Sequence, residues 1–274
     1  ENITEKPVAS VLRGFTAPVR LDYPLTKQDR VAIVRFDDDG VSRWDSMQSL
    51  YCEAIKSIVY ESTSIESDVI VDLISKLIEK PGDIKDPGGL TEILRVPSES
   101  ILWEKFQPAD PQIIFKARNR LGTILGCELQ HLWSRLVDEM IITEDYLPTS
   151  EQIGRRSLKA IALSFLVRSS DRSQMLNEQF TNASNLTDRL LYFRLARAHG
   201  NAFIANQLSK FFEQSAVANE TFELWLSVEA SDERTGTLDR LKKLVEHPRF
   251  SFDNPNRVRA VYRSFAVTNT KNFH

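Results

Sequence analysis

The sequence contains no apolar run approaching the roughly 20 residues that a membrane-spanning helix needs, and its N-terminus lacks a basic-then-apolar leader. Neither a spanning segment nor a secretory signal is expected, and a membrane is not a partner suggested by these residues. Surplus positive charge is missing too: 35 Lys and Arg against 38 Asp and Glu leave a formal net charge of -3. No bulk positive field exists to hold phosphate backbones, which disfavours nucleic acid as a partner. Cysteine is scarce. Cys52 and Cys127 both lie in apolar helical stretches where a thiol packs as a small hydrophobe, so two buried, reduced thiols and a cytoplasmic location are expected. The Asn-x-Ser/Thr triplets at Asn2, Asn182, Asn185 and Asn219 arise often by chance and do not change that expectation. An initiator Met is absent, and Glu1-Asn2-Ile3-Thr4 reads as the middle of a longer reading frame.

Catalytic signatures are missing as well. Of the four histidines, His131, His199, His247 and His274, none belongs to a His-Glu-x-x-His pair, and there is no Cys-x-x-Cys. His131, beside Trp133, reads as a half-buried surface residue. No Gly-x-Ser-x-Gly, phosphate loop or dinucleotide fingerprint occurs. Asp37-Asp38-Asp39-Gly40 resembles the start of a calcium loop, but the later ligands do not follow in register, so it reads as a solvated acidic turn. The chain is expected to hold no catalytic residue, no metal ligand and no cofactor of its own.

Two patterns are present. From Pro7 to about Arg35, alternating apolar residues among Gly14, Pro18 and Pro24 predict short strands, the trailing edge of a β-domain. After Val41 the period becomes helical. Trp44, Met47, Leu50, Tyr51, Ala54, Ile55 and Ile58 form one stripe, with Ser42-Arg43-Trp44-Asp45 as a capping box at its start. Further helices are predicted at 69–78, 90–94, 113–141, 153–166, 186–198, 203–212, 222–228, 238–245 and 258–265. Pro-containing breaks separate several of them, including Asp86-Pro87, Asp110-Pro111 and Asn254-Pro255, where a proline suits the first helical turn. The fold class is therefore mostly α: an irregular α-solenoid or superhelix of about ten helices with a short β remnant at the N-terminus. Residues 1–40 are expected to hold trailing strands of a β-sandwich domain and a linker, and residues 41–274 a helical superhelix domain truncated at its C-terminus.

Six segments carry a resemblance that single motifs do not. In order they are EKPVASVLRGFTAPVRLDY, SRWDSMQSL, EILRVPS, RRSLKAIALSFL, QF with SNLTD, and HPRFSFDNPNRVRAVYRSFAVTN. Together they resemble the end of the immunoglobulin-like domain and the helical domain of the aminopeptidase N family of gluzincin metallopeptidases. The resemblance implies a non-catalytic domain of an enzyme that removes N-terminal residues from peptides. It would act as lid and substrate sieve over an active site whose single zinc ion and ligands lie in an upstream domain of the same polypeptide. The implied partners are that catalytic domain and peptide substrates. By the same resemblance, Arg259 of the Asn-Pro-Asn-Arg-Val-Arg stretch is placed to reach the substrate channel, with Arg257 as the other candidate. Two residues apart, the two leave a helix in different directions. Family members continue with further helices beyond the point matched by His274, so an exposed apolar face and self-association of the chain are expected. The alternative is a free-standing helical-repeat adaptor binding peptides or proteins, which leaves the strands at 8–23 unexplained.

Overall fold

Side-chain caps set where most of the early helices begin. In the computed structural model, which describes residues 7–15, 17, 19, 23–60, 67–108, 110–215 and 218–274, helix α1 (Lys27–Phe36) opens with a reciprocal capping box. Thr26 Oγ1 accepts from the Asp29 N–H at 3.1 Å, and Asp29 Oδ2 accepts from the Thr26 N–H at 2.9 Å. This corrects the strand expectation over 27–35. Val31-Ala32-Ile33-Val34 is a continuous apolar run that a strand or a buried helix segment satisfies equally, and the cap decides for helix. Among the described residues none lies in a strand, so the short β remnant is not formed there. Part of the alternation on which it rested, including Leu21, lies outside the described residues.

Helix α2 (Gly40–Val59) starts three residues earlier than expected. Its cap is Asp39, whose Oδ1 accepts from the Ser42 N–H at 2.8 Å, while Oδ2 accepts from the Gly14 N–H at 2.7 Å. Those two donors hold the Asp39 carboxyl below its usual range. The acidic turn is thus a helix cap that also ties down the turn at Gly14, whose φ of 67° suits glycine. Phe15 beside it is 56% exposed.

The chain divides into two compact units, Glu1–Leu166 and Val167–His274. In the first, α2 buries Met47, Leu50, Tyr51, Ala54, Ile55 and Ile58 against α1, α4 (Pro87–Leu94) and α6 (Pro111–Glu128). Each such side chain removed from water stabilises the fold by about 1.5–3 kcal/mol, before the cost of ordering it. Tyr51 donates its hydroxyl to the Leu94 carbonyl at 3.1 Å, satisfying a buried helix end. Asp86 and Asp110 cap α4 and α6 with Pro87 and Pro111 at the first turn, as the sequence predicts. Helix α3 (Ser67–Ile78) packs on α6, and α5 (Glu99–Lys105), not anticipated, begins at the Ser98 cap.

The long helix expected at 113–141 is two: α6 and α7 (Gln130–Glu139), separated at Leu129 with φ -109° and ψ 17°. Trp133 Nε1 donates to the Leu125 carbonyl at 2.9 Å and secures the break. Helix α8 (Ser150–Ser169) approaches α4 closely at Gly154, where an added Cβ would lie 3.0 Å from the Gly88 nitrogen. Cys127 sits exposed on α6 rather than buried, whereas Cys52 is half-buried, and both are free thiols.

The second unit contains α9 (Ser173–Asn182), α10 (Leu186–His199), α11 (Ala202–Ser215), α12 (Asn219–Ala230) and α13 (Thr237–Val245). It closes with α14 (Pro255–Val258), a π turn (Arg259–Arg263), α15 (Ser264–Thr268) and α16 (Thr270–Phe273). Phe193 stacks on Phe212 at 4.9 Å, and Phe180 meets both Phe211 and Phe212 edge-on. Asn185 caps α10 by accepting from the Asp188 N–H at 2.9 Å, so Asn185-Leu186-Thr187-Asp188 is a helix start.

Candidate functional site

The stretch Asn254-Pro255-Asn256-Arg257-Val258-Arg259 is a motif whose side chains are not all absorbed by folding. Asn254 Oδ1 accepts from the N–H groups of Asn256 and Arg257 at 3.0 and 3.3 Å, and Pro255 occupies the first turn. The helix then widens into the π turn before α15 resumes. Such turns recur at functional positions because they re-aim side chains within one helix.

Arg257 and Arg259 part company as their spacing predicts. Arg257 turns inward: its Nη1 donates to the Arg249 carbonyl, its Nη2 donates to Asn219 Oδ1 at 3.0 Å, and its guanidinium lies 5.6 Å from the Phe222 ring. It fastens α14 to the start of α12. Arg259 is exposed, and its side chain makes no hydrogen bond or ion pair with the described residues. It lines an open groove of about 460 Å³ with Glu223, Asn256, Ala260, Arg263, Ser264, Val267 and Thr268.

The wall beneath is held by a buried polar cluster. Arg197 Nε donates to Glu229 Oε1 at 3.0 Å, and its Nη1 donates to Asn206 Oδ1 at 3.1 Å. Ser209 Oγ donates to Glu229 at 2.6 Å and accepts from Trp225 Nε1 at 3.0 Å. Asp232, 1% exposed, pairs with Arg234 at 2.7 Å and lies 3.4 and 3.6 Å from Arg197 and Arg240. Burial pushes the Asp232 carboxyl upward against the pull of Arg197, Arg240 and Lys271. Asn269, fully buried, donates to the carbonyls of Ala230 and Asp232 at 3.2 and 2.8 Å. This cluster fixes α12 and α15, two elements that frame the groove.

Two groove residues and one residue of the buried cluster escape a reading of the sequence. Arg263 was discoverable, because it follows Arg259 at the four-residue spacing that brings side chains together on a helix. Glu223, on α12, carries no local signal, and Ser209, which joins the cluster below, carries none either. Among the described residues no three His, Cys, Asp or Glu side chains gather as metal ligands. His131 is exposed on α7. No helix among the described residues is long and apolar enough to cross a membrane.

Paired helices with a groove on one unit define a helical-repeat domain. The model of the family described as "Domain of unknown function (DUF3458_C) ARM repeats" matches residues 27–274, and the chain belongs to that family. The match begins on the first residue of α1, and the repeat description agrees with the solenoid class expected from the helix count. Aminopeptidase N of Caulobacter vibrioides is 30% identical over 278 residues, covering 100% of this chain and 32% of that protein. Aminopeptidase N of Escherichia coli is 28% identical over 291 residues, covering 100% and 32%, and that of Haemophilus influenzae 27% over 274 residues, covering 98% and 31%. The crystal structure of Legionella pneumophila aminopeptidase A in complex with aspartic acid shares the fold, with a TM-score of 0.85 at 24% identity over 98% of this chain and 33% of that one. The chain thus spans about a third of the length of the relatives it matches, and it is similar to the C-terminal domain of aminopeptidase N-like enzymes.

Proposed function

We propose that this chain serves a zinc-dependent aminopeptidase as its non-catalytic C-terminal domain, lying over the active site as lid and substrate sieve. The observation that carries this reading is Arg259, an exposed guanidinium without a partner among the described residues, on a groove whose framework is tied by buried hydrogen bonds. A long cation held at a groove by a buried scaffold, and unused by the fold, is suited to a ligand. The zinc ion belongs, on this reading, to the catalytic domain of the same polypeptide. The segment preceding α1, within residues 1–40, is the tail of an upstream β-domain. The free thiols of Cys52 and Cys127 support a cytoplasmic setting.

The test uses the intact enzyme and a ladder of peptides of increasing length. Arg259→Ala is expected to raise KM or shift length preference while leaving stability unchanged, because a groove residue contributes binding rather than packing. Equal kinetics on short and long peptides in both proteins would remove the groove from the substrate route.

A further inference from the structure

His247 sits where α11, α12 and the turn after α13 meet, and its two ring nitrogens face different partners. Half-buried, its imidazole packs on the rings of Phe222 and Trp225 from α12, with centroids 5.0 and 5.6 Å away. Its Nδ1 accepts from the Arg249 N–H at 3.1 Å. A ring nitrogen that accepts carries no proton, so the ring is neutral in this arrangement, with its hydrogen on Nε2. Nε2 faces Glu213 of α11, whose Oε1 lies 3.9 Å away.

That acceptor closes a turn on which a second anchor depends. Across the turn, the Phe250 N–H donates to the His247 carbonyl at 2.8 Å. The Arg249 carbonyl accepts from Arg257 Nη1, and the Arg249 guanidinium lies 4.3 Å from the Phe222 ring. Arg257 brings a second guanidinium to 5.6 Å from that ring. The amide that His247 accepts from therefore belongs to the same residue whose carbonyl holds Arg257, the side chain that fastens α14 to α12.

We infer that His247 is a pH-sensitive latch on the turn between α13 and α14. A proton taken from solvent by the Nδ1 lone pair turns that nitrogen from acceptor into donor, and two N–H groups then face each other where one hydrogen bond stood. The new positive charge is drawn to Glu213 and repelled by Arg249 and Arg257, the two cations that share the Phe222 ring with it. Glu213 is the one carboxylate within ion-pair distance of the imidazole among the described residues, and α12 meets it with two aromatic rings. Each force pulls the imidazolium toward α11 and away from the turn. Acid thus opens 247–250 and slackens the Arg257 anchor, over the range of about pH 5 to 8 in which histidines change charge. This behaviour belongs to the helical domain itself and is independent of the lid reading.

Amide hydrogen exchange on the intact protein tests it, read by mass spectrometry on fragments spanning 246–258 at about pH 7.5 and about pH 5.5, with exchange times scaled for the intrinsic effect of pH. Protection of the Arg249 amide in the parent is expected to fall about fivefold at the lower pH, as loss of one hydrogen bond implies, while the amides of α12 keep theirs. His247→Asn puts an amide oxygen close to the place of Nδ1 and does not titrate, so its protection should be independent of pH. His247→Phe keeps the ring packing without the acceptor and should lower protection of the Arg249 amide about fivefold at both pH values. The same acid-induced fall in the parent and in His247→Asn overturns the latch, as does full protection of that amide in His247→Phe. Equal loss of protection across α12 at the lower pH marks a general loosening instead of a local release and overturns it too.

Discussion

Arg197 and Glu229 meet as a two-point ion pair in the interior of the second unit, with 5% and 4% of their surfaces exposed. The pair joins α10 to α12, and Asn206 and Ser209 bring α11 into the same cluster. Desolvating both ions cancels much of their attraction, so the pair itself adds little net stability. Losing one partner is different, because the other is left charged and buried.

Arg197→Met should therefore destabilise the chain by about 3–5 kcal/mol, and Arg197→Met/Glu229→Met should recover most of that loss. Urea unfolding midpoints measure both. A single variant within about 1 kcal/mol of the parent would show that water or the Ser209 hydroxyl already compensates Glu229.

The two arginines of the Asn254 segment should separate in a stability assay. Arg257→Met removes the bonds to Asn219 and to the Arg249 carbonyl and is expected to cost about 1–2 kcal/mol. Arg259→Met touches no partner and should stay within about 0.5 kcal/mol. Thermal melts that rank them the other way would contradict the assignment of Arg257 to folding.

Acidification should weaken the second unit through His199. Burial first, and then the Arg168 charge, lower its pKa from 6.5 to about 4. Between those values the unfolded chain binds the proton and the folded one does not, so stability falls as pH falls. The contribution is fully present above about 6.5 and lost on passing toward pH 4, with an upper limit of about 3 kcal/mol. Asp232, raised by burial, acts in the opposite sense. The difference between the parent and His199→Gln therefore isolates the histidine, and equal slopes of unfolding midpoint against pH from 7 to 4 in both would refute it.

The isolated chain should self-associate. Phe252, Val267 and Phe273 are large apolar side chains left exposed near the C-terminal helices. Light scattering is expected to show a mass that rises with concentration, and Phe252→Ser/Val267→Ser should reduce the rise. A constant monomer mass at high concentration would contradict this.

The helical stripes were legible in the sequence because an amphipathic period and a cap coincide, as in α2, α4 and α6. Where the pattern was short or uniform, other forces decided. The apolar run at 31–34 gave no period, so the Thr26–Asp29 cap settled α1. Leu129 breaks a continuous helical pattern, and Trp133 supplies a donor to the buried carbonyl end of α6. Arg259 was legible through its motif, whereas the groove's other walls depend on packing between segments distant in the chain. Glu223 and Arg263 come to line one groove only once α12 and the π turn are docked, and no local rule reports that.

The π turn sets the rotational phase of everything that follows it. It holds one residue beyond what continuous α-helical bonding requires, and removing that residue would rotate α15 and α16 by about 100° about the helix axis. Asn269 would swing away from the carbonyls of Ala230 and Asp232, and Phe265 from its present edge contact with Phe273 only if α16 failed to follow. A length change of a single residue within 259–263 is thus a steering change. Made at Val261 or Tyr262, it would leave the composition of the groove intact while pointing its cations and its buried anchor at the wrong neighbours.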